Sequence, residues 1–299
     1  MKTIAILVTH GYYPSRPDRD EPNYAENQLA LMRVGLSQYD IHIDPVFWQD
    51  PGIDWSQYDA VMPLLAWNYP QQVDRLLQCF DEIEAAGVML LNDAGTLRAN
   101  MDKSYLADLA ARGAPVPATL SVDVCTPDII RDSFDQFNVD EVIIKPRIGA
   151  GAWRQARLKR GDPLPRVDTL PPAAALIQPF LRAVTDEGEM SLLYFGGMFS
   201  HALIKRPKAG DYRTQGQHGA VETGIPAPLD ALSAAQAVLD TASDVPFTYA
   251  RVDLVRGPDG GWLLMELELI EPWLYLALDG QNGQHGAALL AKAISARVR

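Results

Sequence analysis

Residues 249–276 read YARVDLVRGPDGGWLLMELELIEPWLYL, and how they pair decides the fold. Alternation of side chains along two strands puts Val252, Leu254, Leu263, Met265, Leu267 and Leu269 on one face of a hairpin, a core face. Asp253, Glu266 and Glu268 then share the opposite face with Arg251. Asp259-Gly260 is a strong two-residue turn signal, and a turn there sets Asp253 opposite Glu266 and Arg251 opposite Glu268. Directly opposed like charges destabilise a sheet, and buried charge is costly unless paired. Three acids with one arginine leave a negative excess that a hard divalent cation can neutralise, and carboxylate oxygens suit Mg²⁺. The plainer alternative is a solvated hairpin face on which Arg251 is a salt-bridge partner.

The rest of the chain narrows the choice. It has 299 residues, 47% of them hydrophobic, as in an ordinary folded protein. Its formal charge of −12 argues against nucleic acid or an anionic membrane as the main partner. Cys79 and Cys125 stand far apart in no metal-type spacing, so both read as core thiols of a protein in reducing cytosol. No apolar run reaches the roughly 18 residues of a membrane span. The opening MKTIAILVTHGYY reads as a first strand rather than a signal peptide, and a cytoplasmic location is expected.

Alternating strand and helix patterns over residues 1–97 predict an α/β layer: strands at 3–9, 41–47 and 60–65, helices at 24–36 and 71–86, and a short strand ending at Asn92. Residues 98–175 predict a smaller α/β lobe. It begins with a helix over 102–112, capped by Asn100 or Asp102, and includes a helix at 127–137 and a strand at 141–146. Residues 176–299 change to antiparallel hairpins, one turning at Gly196-Gly197, with helices at 229–243 and 285–297. The stretch KAGDYRTQGQHGAVE, 208–222, reads as a mobile loop without a regular element.

Lys145 ends the strand EVIIKP and is followed by RIGAGAWR, a glycine-bearing turn whose backbone amides can cradle phosphate oxygens. Lys103 lies at a helix start, where a cation is unfavourable unless an anion is near. LIQPFL offers backbone polar groups beside apolar side chains, which suits a flat purine or, equally, a core strand. There is no dinucleotide fingerprint, no GxxxxGK[ST] loop, no zinc spacing and no GxSxG elbow.

In order and spacing, NMDKSYLADLAARGAPVPAT, EVIIKPRIGAGAWR, LIQPFL, GEMSLLYF, HALIKRP, YARVDL and LLMELELIEP resemble the ATP-grasp superfamily. The resemblance implies three lobes, at 1–97, 98–175 and 176–299: α/β at the N-terminal end, a lid lobe, and an α+β C-terminal lobe with the metal site. It implies that Lys103 and Lys145 hold the ATP phosphates under a lid formed by Gly149, Ala150, Gly151 and Ala152. Gln178, Pro179, Phe180 and Leu181 would form the adenine hinge, with Glu189 a candidate for a ribose or nearby polar contact. Asp253, Glu266 and Glu268 would bind two Mg²⁺ ions, Mn²⁺ being a substitute. Arg251 and Arg213 would be the catalytic cations. Many members have Asn at the position of Glu268, so its ligand role is the least defined.

The phrases HGYYPS, GDYRTQGQHGA and MELELIEPWLYL resemble the small-molecule branch whose ligases cyclise O-ureido-D-serine to D-cycloserine in antibiotic biosynthesis. That resemblance implies activation of an amino-acid carboxylate as an acyl phosphate and closure by an internal nitrogen. His10, Tyr12, Tyr13, Trp67, Asn68 and Arg213 would contact the small amino-acid-like substrate, and a homodimer is the family-level expectation. The rival readings are a glutathione-synthetase-type ligase joining two molecules, a kinase that stops at the phosphorylated product, and a non-catalytic ATP-binding module.

Overall fold

The chain's structure, a computed structural model, describes residues 1–10 and 24–298. The N-terminal apolar run forms β1 (Lys2–Val8), paired in parallel with β2 (Ile41–Phe47) on one side and β3 (Ala60–Leu65) on the other, with β4 (Met89–Leu90) at the edge. Strands apolar on both faces need cover on both faces. α1 (Tyr24–Leu36) packs Ala25, Leu29, Met32 and Leu36 against Ile4, Ile6 and Val8. α2 (Val73–Ala85) packs Leu76, Cys79, Phe80 and Ile83 against Ala5 and Leu7. Cys79 is thus a core thiol, as expected.

The helix expected over 102–112 is α4 (Tyr105–Ala111), and a separate short helix that the pattern did not announce, α3 (Ala94–Asn100), precedes it. Asp102 accepts the Ser104 N–H between them at 2.8 Å. Asn100 does not cap. Its amide instead spans Leu267 O and Leu269 N on the strand opposite. The central sheet has the order β5-β8-β6-β7, made of β5 (Leu120–Val122), β6 (Glu141–Pro146), β7 (Ala156–Lys159) and β8 (Ala175–Pro179). α5 (Pro127–Phe137) buries Ile130 and Phe134 against Val142, Ile144 and Ile177 on one face. β8 straddles the boundary expected at 175/176 and pairs with β5 and β6 of the central sheet.

In the C-terminal lobe, α6 (Ala183–Asp186) precedes β9 (Glu189–Phe195), β10 (Met198–Arg206) and β11 (Val221–Ile225); α7 (Leu229–Ala242), β12 (Tyr249–Arg256), β13 (Trp262–Glu268) and α8 (Gln284–Arg297) follow. The sheet order is β11-β10-β9-β12-β13. Gly196 and Gly197 form the expected two-residue turn, with φ of +58° and +79° as a hairpin of that length requires. The 208–222 stretch is more ordered than its composition suggested: it holds a 3-10 turn at Gly216–His218 and the first residues of β11, which pair with β10.

The opening hairpin differs from its sequence reading in an instructive way. Its turn spans 257–261, closed by Gly257 N–H to Gly261 O at 2.7 Å and Gly260 N–H to Gly257 O at 3.0 Å. A bulge at Met265 restores the register, so Asp253 does pair with Glu266 and Arg251 with Glu268, while Leu254 pairs with Leu264. The extra residue flips the alternation beyond it. Leu264, not Leu263, joins Val252, Leu254, Leu267 and Leu269 in the core. Leu263 and Met265 turn to the acids' side and pack near Leu181, Val184 and Val255.

Asn92, after β4, ties the lobes together. Its side chain donates to Tyr249 O and Leu269 O and accepts from Thr248 N–H, all within buried surroundings.

Candidate active site

The acids of β12 and β13 do not face water together. Asp253 is only 2% exposed and accepts from Ser191 Oγ at 2.5 Å, from Arg251 Nη2 at 2.9 Å and from Lys205 Nζ at 3.2 Å. Burial pushes its carboxyl up, but Arg251 and Lys205 outweigh that and hold it down at about 2. Glu266 pairs with Lys103 Nζ at 3.0 Å, and Glu268 with Arg251 Nη2. Burial, reinforced by the charges of Glu266 and Asp253 against the opposing pull of Arg251, pushes Glu268 up to about 7. Among the described residues no three acids converge as one ion-holding group, so the expected three-carboxylate ligand set is not assembled here. The cations have divided the carboxylates between them. Glu266 and Glu268 keep part of their side chains accessible, at 32% and 23%; Asp253 does not.

A guanidinium has five N–H donors. Arg251 gives Nε and one Nη2 hydrogen to Asp253, the other Nη2 hydrogen to Glu268, and one Nη1 hydrogen to Trp273 O. One N–H remains uncommitted among the described residues.

Lys103 and Lys145 converge on the glycine turn, but in different states. Lys103 Nζ donates to Gly149 O at 2.5 Å as well as pairing with Glu266, and its backbone N–H bonds Arg147 O. Lys145 has no hydrogen bond or ion pair among the described residues. Burial lowers its pKa, and the charges of Glu266 and Glu189 only partly offset that. In the β6–β8 register Lys145 lies opposite Leu176 and Ile143 opposite Gln178, so both polar side chains point to the same face of the sheet. Leu176 packs there into the C-terminal core, which makes this the face turned toward the acids' lobe.

The turn itself is held from across the cleft. Gln217 Nε2 donates to Gly151 O at 2.9 Å, and His218 Nε2 to the same oxygen at 3.1 Å. Gly151 has φ +60°, which strains an L side chain, and a Cβ there would lie 2.5 Å from Gln217 Nε2 and push that side-chain end aside. Ala152 also has positive φ. In the hinge, Pro179 has no N–H and Phe180 N–H is committed to Glu141 O, which leaves the Leu181 N–H as the free donor among the described residues. Arg157 lies over the Phe180 ring at 3.7 Å. Gln178 Nε2 donates to Thr119 Oγ1 at 2.8 Å, while its buried Oε1 has no partner. Glu189 is tied up as an ion pair with Lys205 at 2.5 Å.

Of the expected substrate contacts, Tyr12 and Tyr13 lie outside the described residues. His10 stacks on Phe47 at 3.9 Å and donates to Asp50, engaged within its own lobe. Asn68 accepts from Thr9 Oγ1 at 2.7 Å, bridging the carboxyl ends of β1 and β3. That is where the strand order reverses direction, the usual crevice of an open parallel sheet. Trp67 reaches the C-terminal lobe, donating from Nε1 to Glu271 O at 3.2 Å and packing on Trp273. Arg213 is not drawn to the acids; it forms a forked pair with Asp211, whose carboxyl it holds well below the usual range.

Three residues of the site were not anticipated. Lys205 is 3% exposed and bridges Glu189 and Asp253, which raise its pKa despite the opposing burial. Glu271, half-buried, is pushed up to about 8 by desolvation and by Glu268. Tyr275 packs its ring on Arg251 at 5.8 Å.

With this geometry in hand, the relatives are informative. A family model described as D-cycloserine synthetase DcsG, N-terminal domain, matches residues 4–92. The cycloserine biosynthesis protein DcsG of Streptomyces lavendulae is 29% identical over 270 residues, covering 84% of this chain and 87% of that protein. The crystal structure of D-cycloserine synthetase DcsG superposes with a TM-score of 0.86 at 25% identity, over 99% of this chain and all of that one. D-alanine–D-alanine ligase from Bacillus anthracis, solved with ATP, gives a TM-score of 0.68 at 16% identity over 100% of this chain and 98% of that one. The ATP-grasp ligase PsnB, solved with Mg and ADP, gives 0.63 at 17% identity over 99% of this chain and 98% of that one. The architecture is the ATP-grasp fold.

Proposed function

We propose that this chain, an ATP-grasp protein similar along nearly its whole length to D-cycloserine synthetase, is an ATP- and Mg²⁺-dependent ligase that cyclises O-ureido-D-serine. The observation that carries the reading is Lys145. A desolvated cation without a partner is costly unless an anion arrives, and it shares a sheet face with the unpartnered acceptor of Gln178. Phosphate beside Lys145 and a purine amine beside Gln178 Oε1 fit one extended ligand, lying under the glycine turn.

Glu266 and Glu268 present hard, partly accessible oxygens for Mg²⁺. Asp253 reaches an ion there only by giving up Lys205 or Arg251. Bound Mg²⁺ neutralises charge on the phosphate oxygens. The rest is the work of the chain. Lys145 and the spare Arg251 N–H hold the γ-phosphoryl oxygens while the substrate carboxylate oxygen attacks the γ-phosphorus and ADP leaves. The acyl phosphate carbon then takes the nitrogen bonded to the substrate's own side-chain oxygen, that nitrogen gives up its proton and phosphate departs with the C–O electrons. One water then removes the carbamoyl group from the ring nitrogen as CO2 and NH3. No protein nucleophile is required. Trp67, Trp273 and the Asn68 crevice line the path from the N-terminal lobe and hold the amino acid between the lobes.

The test is ADP release with single amino acids, O-ureidoserine of both hands included. Intramolecular closure turns over with one substrate and ATP. A requirement for a second amino acid would instead support a joining ligase of the glutathione-synthetase type, and binding of ATP without any release of ADP would support a non-catalytic module.

A further inference from the structure

The segment leaving β13, residues 271–276, lies across Arg251 and is held from both large lobes. Leu274 N–H donates to Gln28 Oε1 at 2.8 Å, and His201 Nε2 donates to Leu274 O at 3.1 Å. Within it Tyr275 has φ +48°, a left-handed conformation uncommon for a bulky side chain and a mark of functional strain when the surroundings enforce it. What enforces it here is visible. The ring packs on the Arg251 guanidinium, and the hydroxyl donates to Glu222 Oε1 at 2.9 Å.

Glu222 belongs to β11, opposite Lys205 in the register. Gly216 packs so closely on the Glu222 carboxylate that a Cβ there would lie 3.2 Å from Oε1. Gly216 also begins the turn whose Gln217 and His218 hold Gly151 O. A contiguous path thus runs from the glycine turn through the Gly216–His218 turn and Glu222 to Tyr275, and ends at Arg251, one N–H of which has no partner among the described residues.

We infer that Tyr275 is a positioning residue which, through Glu222, couples closure of the glycine turn to the orientation of Arg251 toward the terminal phosphate. The inference rests on the ATP-ligase reading and adds to it a residue that touches neither nucleotide nor metal. It also explains why the tyrosine tolerates its backbone conformation: release of the hydroxyl would free the segment that lies across Arg251.

Calorimetric titration with Mg²⁺ and either ADP or the β,γ-imido analogue of ATP tests it, because only the analogue carries a γ-phosphate. Tyr275→Phe weakens analogue binding about 10-fold while ADP affinity stays within twofold of wild type, a coupling of ordinary allosteric size. Glu222→Ala does the same, and the double variant is no worse than either single one, since both break one link. Glu222→Gln keeps an acceptor for the hydroxyl and retains wild-type affinity. The inference is overturned by unchanged analogue affinity in Tyr275→Phe, by losses that add in the double variant, or by equal losses for both nucleotides with a lowered Tm, the pattern of a purely structural role. A wild-type chain that binds neither nucleotide overturns the ATP-ligase reading, and the coupling with it.

Discussion

Asp253 and Glu266 are register partners across β12 and β13, yet each is neutralised by different cations: Asp253 by Lys205 and Arg251, Glu266 by Lys103. Their replacement therefore has different consequences. Glu266→Gln removes a partly accessible charge while keeping shape, so turnover with Mg²⁺ falls by a factor of 100 or more, roughly 3 kcal/mol, and it costs less stability than Asp253→Asn because Lys103 keeps its bond to Gly149 O. Asp253→Asn leaves two buried cations short of a partner and costs about 3–5 kcal/mol of stability. Denaturant unfolding and ADP-release rates on both variants separate the effects. Equal stability of the two proteins would refute this division.

Lys145 gives the opposite pairing of outcomes. Lys145→Met removes a half-buried charge with no partner among the described residues and keeps the length of the side chain, so the nucleotide-free protein becomes more stable and its Tm rises. Affinity for ATP falls about 10- to 100-fold, the worth of a lost charge-assisted contact of roughly 1.5–3 kcal/mol. Thermal melts with and without ATP read both changes. A variant less stable than wild type in the absence of nucleotide would mean that Lys145 has a protein partner after all.

Legibility in the sequence followed burial. The strands β1, β2, β3 and β6 and the helices α1, α2, α5 and α7 stand close to where apolar periodicity put them, because each is covered on at least one face by core. β7 and β11 were missed because they are edge strands, and ARLK and VETGI carry the charge and glycine that protect an edge. Lys205 was hidden by a bulge. Strict counting from the Gly196-Gly197 turn places it opposite Gly188, but the register slips by one between Phe199 and His201, which brings it opposite Glu189. The bulge at Met265 misled in the same way, inverting Leu263 and Leu264 while leaving the Asp253–Glu266 pair correct. Pattern reading finds which residue types cluster; the bulges decide which of them meet.

His201 makes the site's anchoring pH-sensitive. Burial holds its pKa below the ordinary 6.5, its Nε2 donates to Leu274 O, and its Nδ1 accepts from Ser200 Oγ. The unfolded chain takes up a proton near 6.5 and the folded one only at lower pH, so this group's stabilisation is full above 6.5 and is lost as pH falls toward the folded value. Protonation would also remove the lone pair that Ser200 uses. Tm of the wild type therefore declines more steeply from pH 6.5 to 5 than that of His201→Gln, which cannot titrate. Parallel Tm profiles for the two proteins would exclude His201 as the source.

Asn92 is the last point at which the fold and the site share a residue. It is 2% exposed, and its amide satisfies Thr248 N–H, Tyr249 O and Leu269 O, the backbone groups that flank the start of β12 and the end of β13. Loss of that side chain leaves three buried polar groups without it. Asn92→Ala accordingly costs about 2–4 kcal/mol, more than one ordinary hydrogen bond, because each orphaned group forfeits its water as well as its partner. Asn92→Asp keeps the acceptor for Thr248 but sets a carboxylate against the two carbonyls, and is at least as damaging. Denaturant midpoints for the two variants, with the m-value monitored for unchanged two-state unfolding, measure both costs. A loss below about 1 kcal/mol in Asn92→Ala would show that water replaces the amide and that the lobes are joined mainly by their apolar contact.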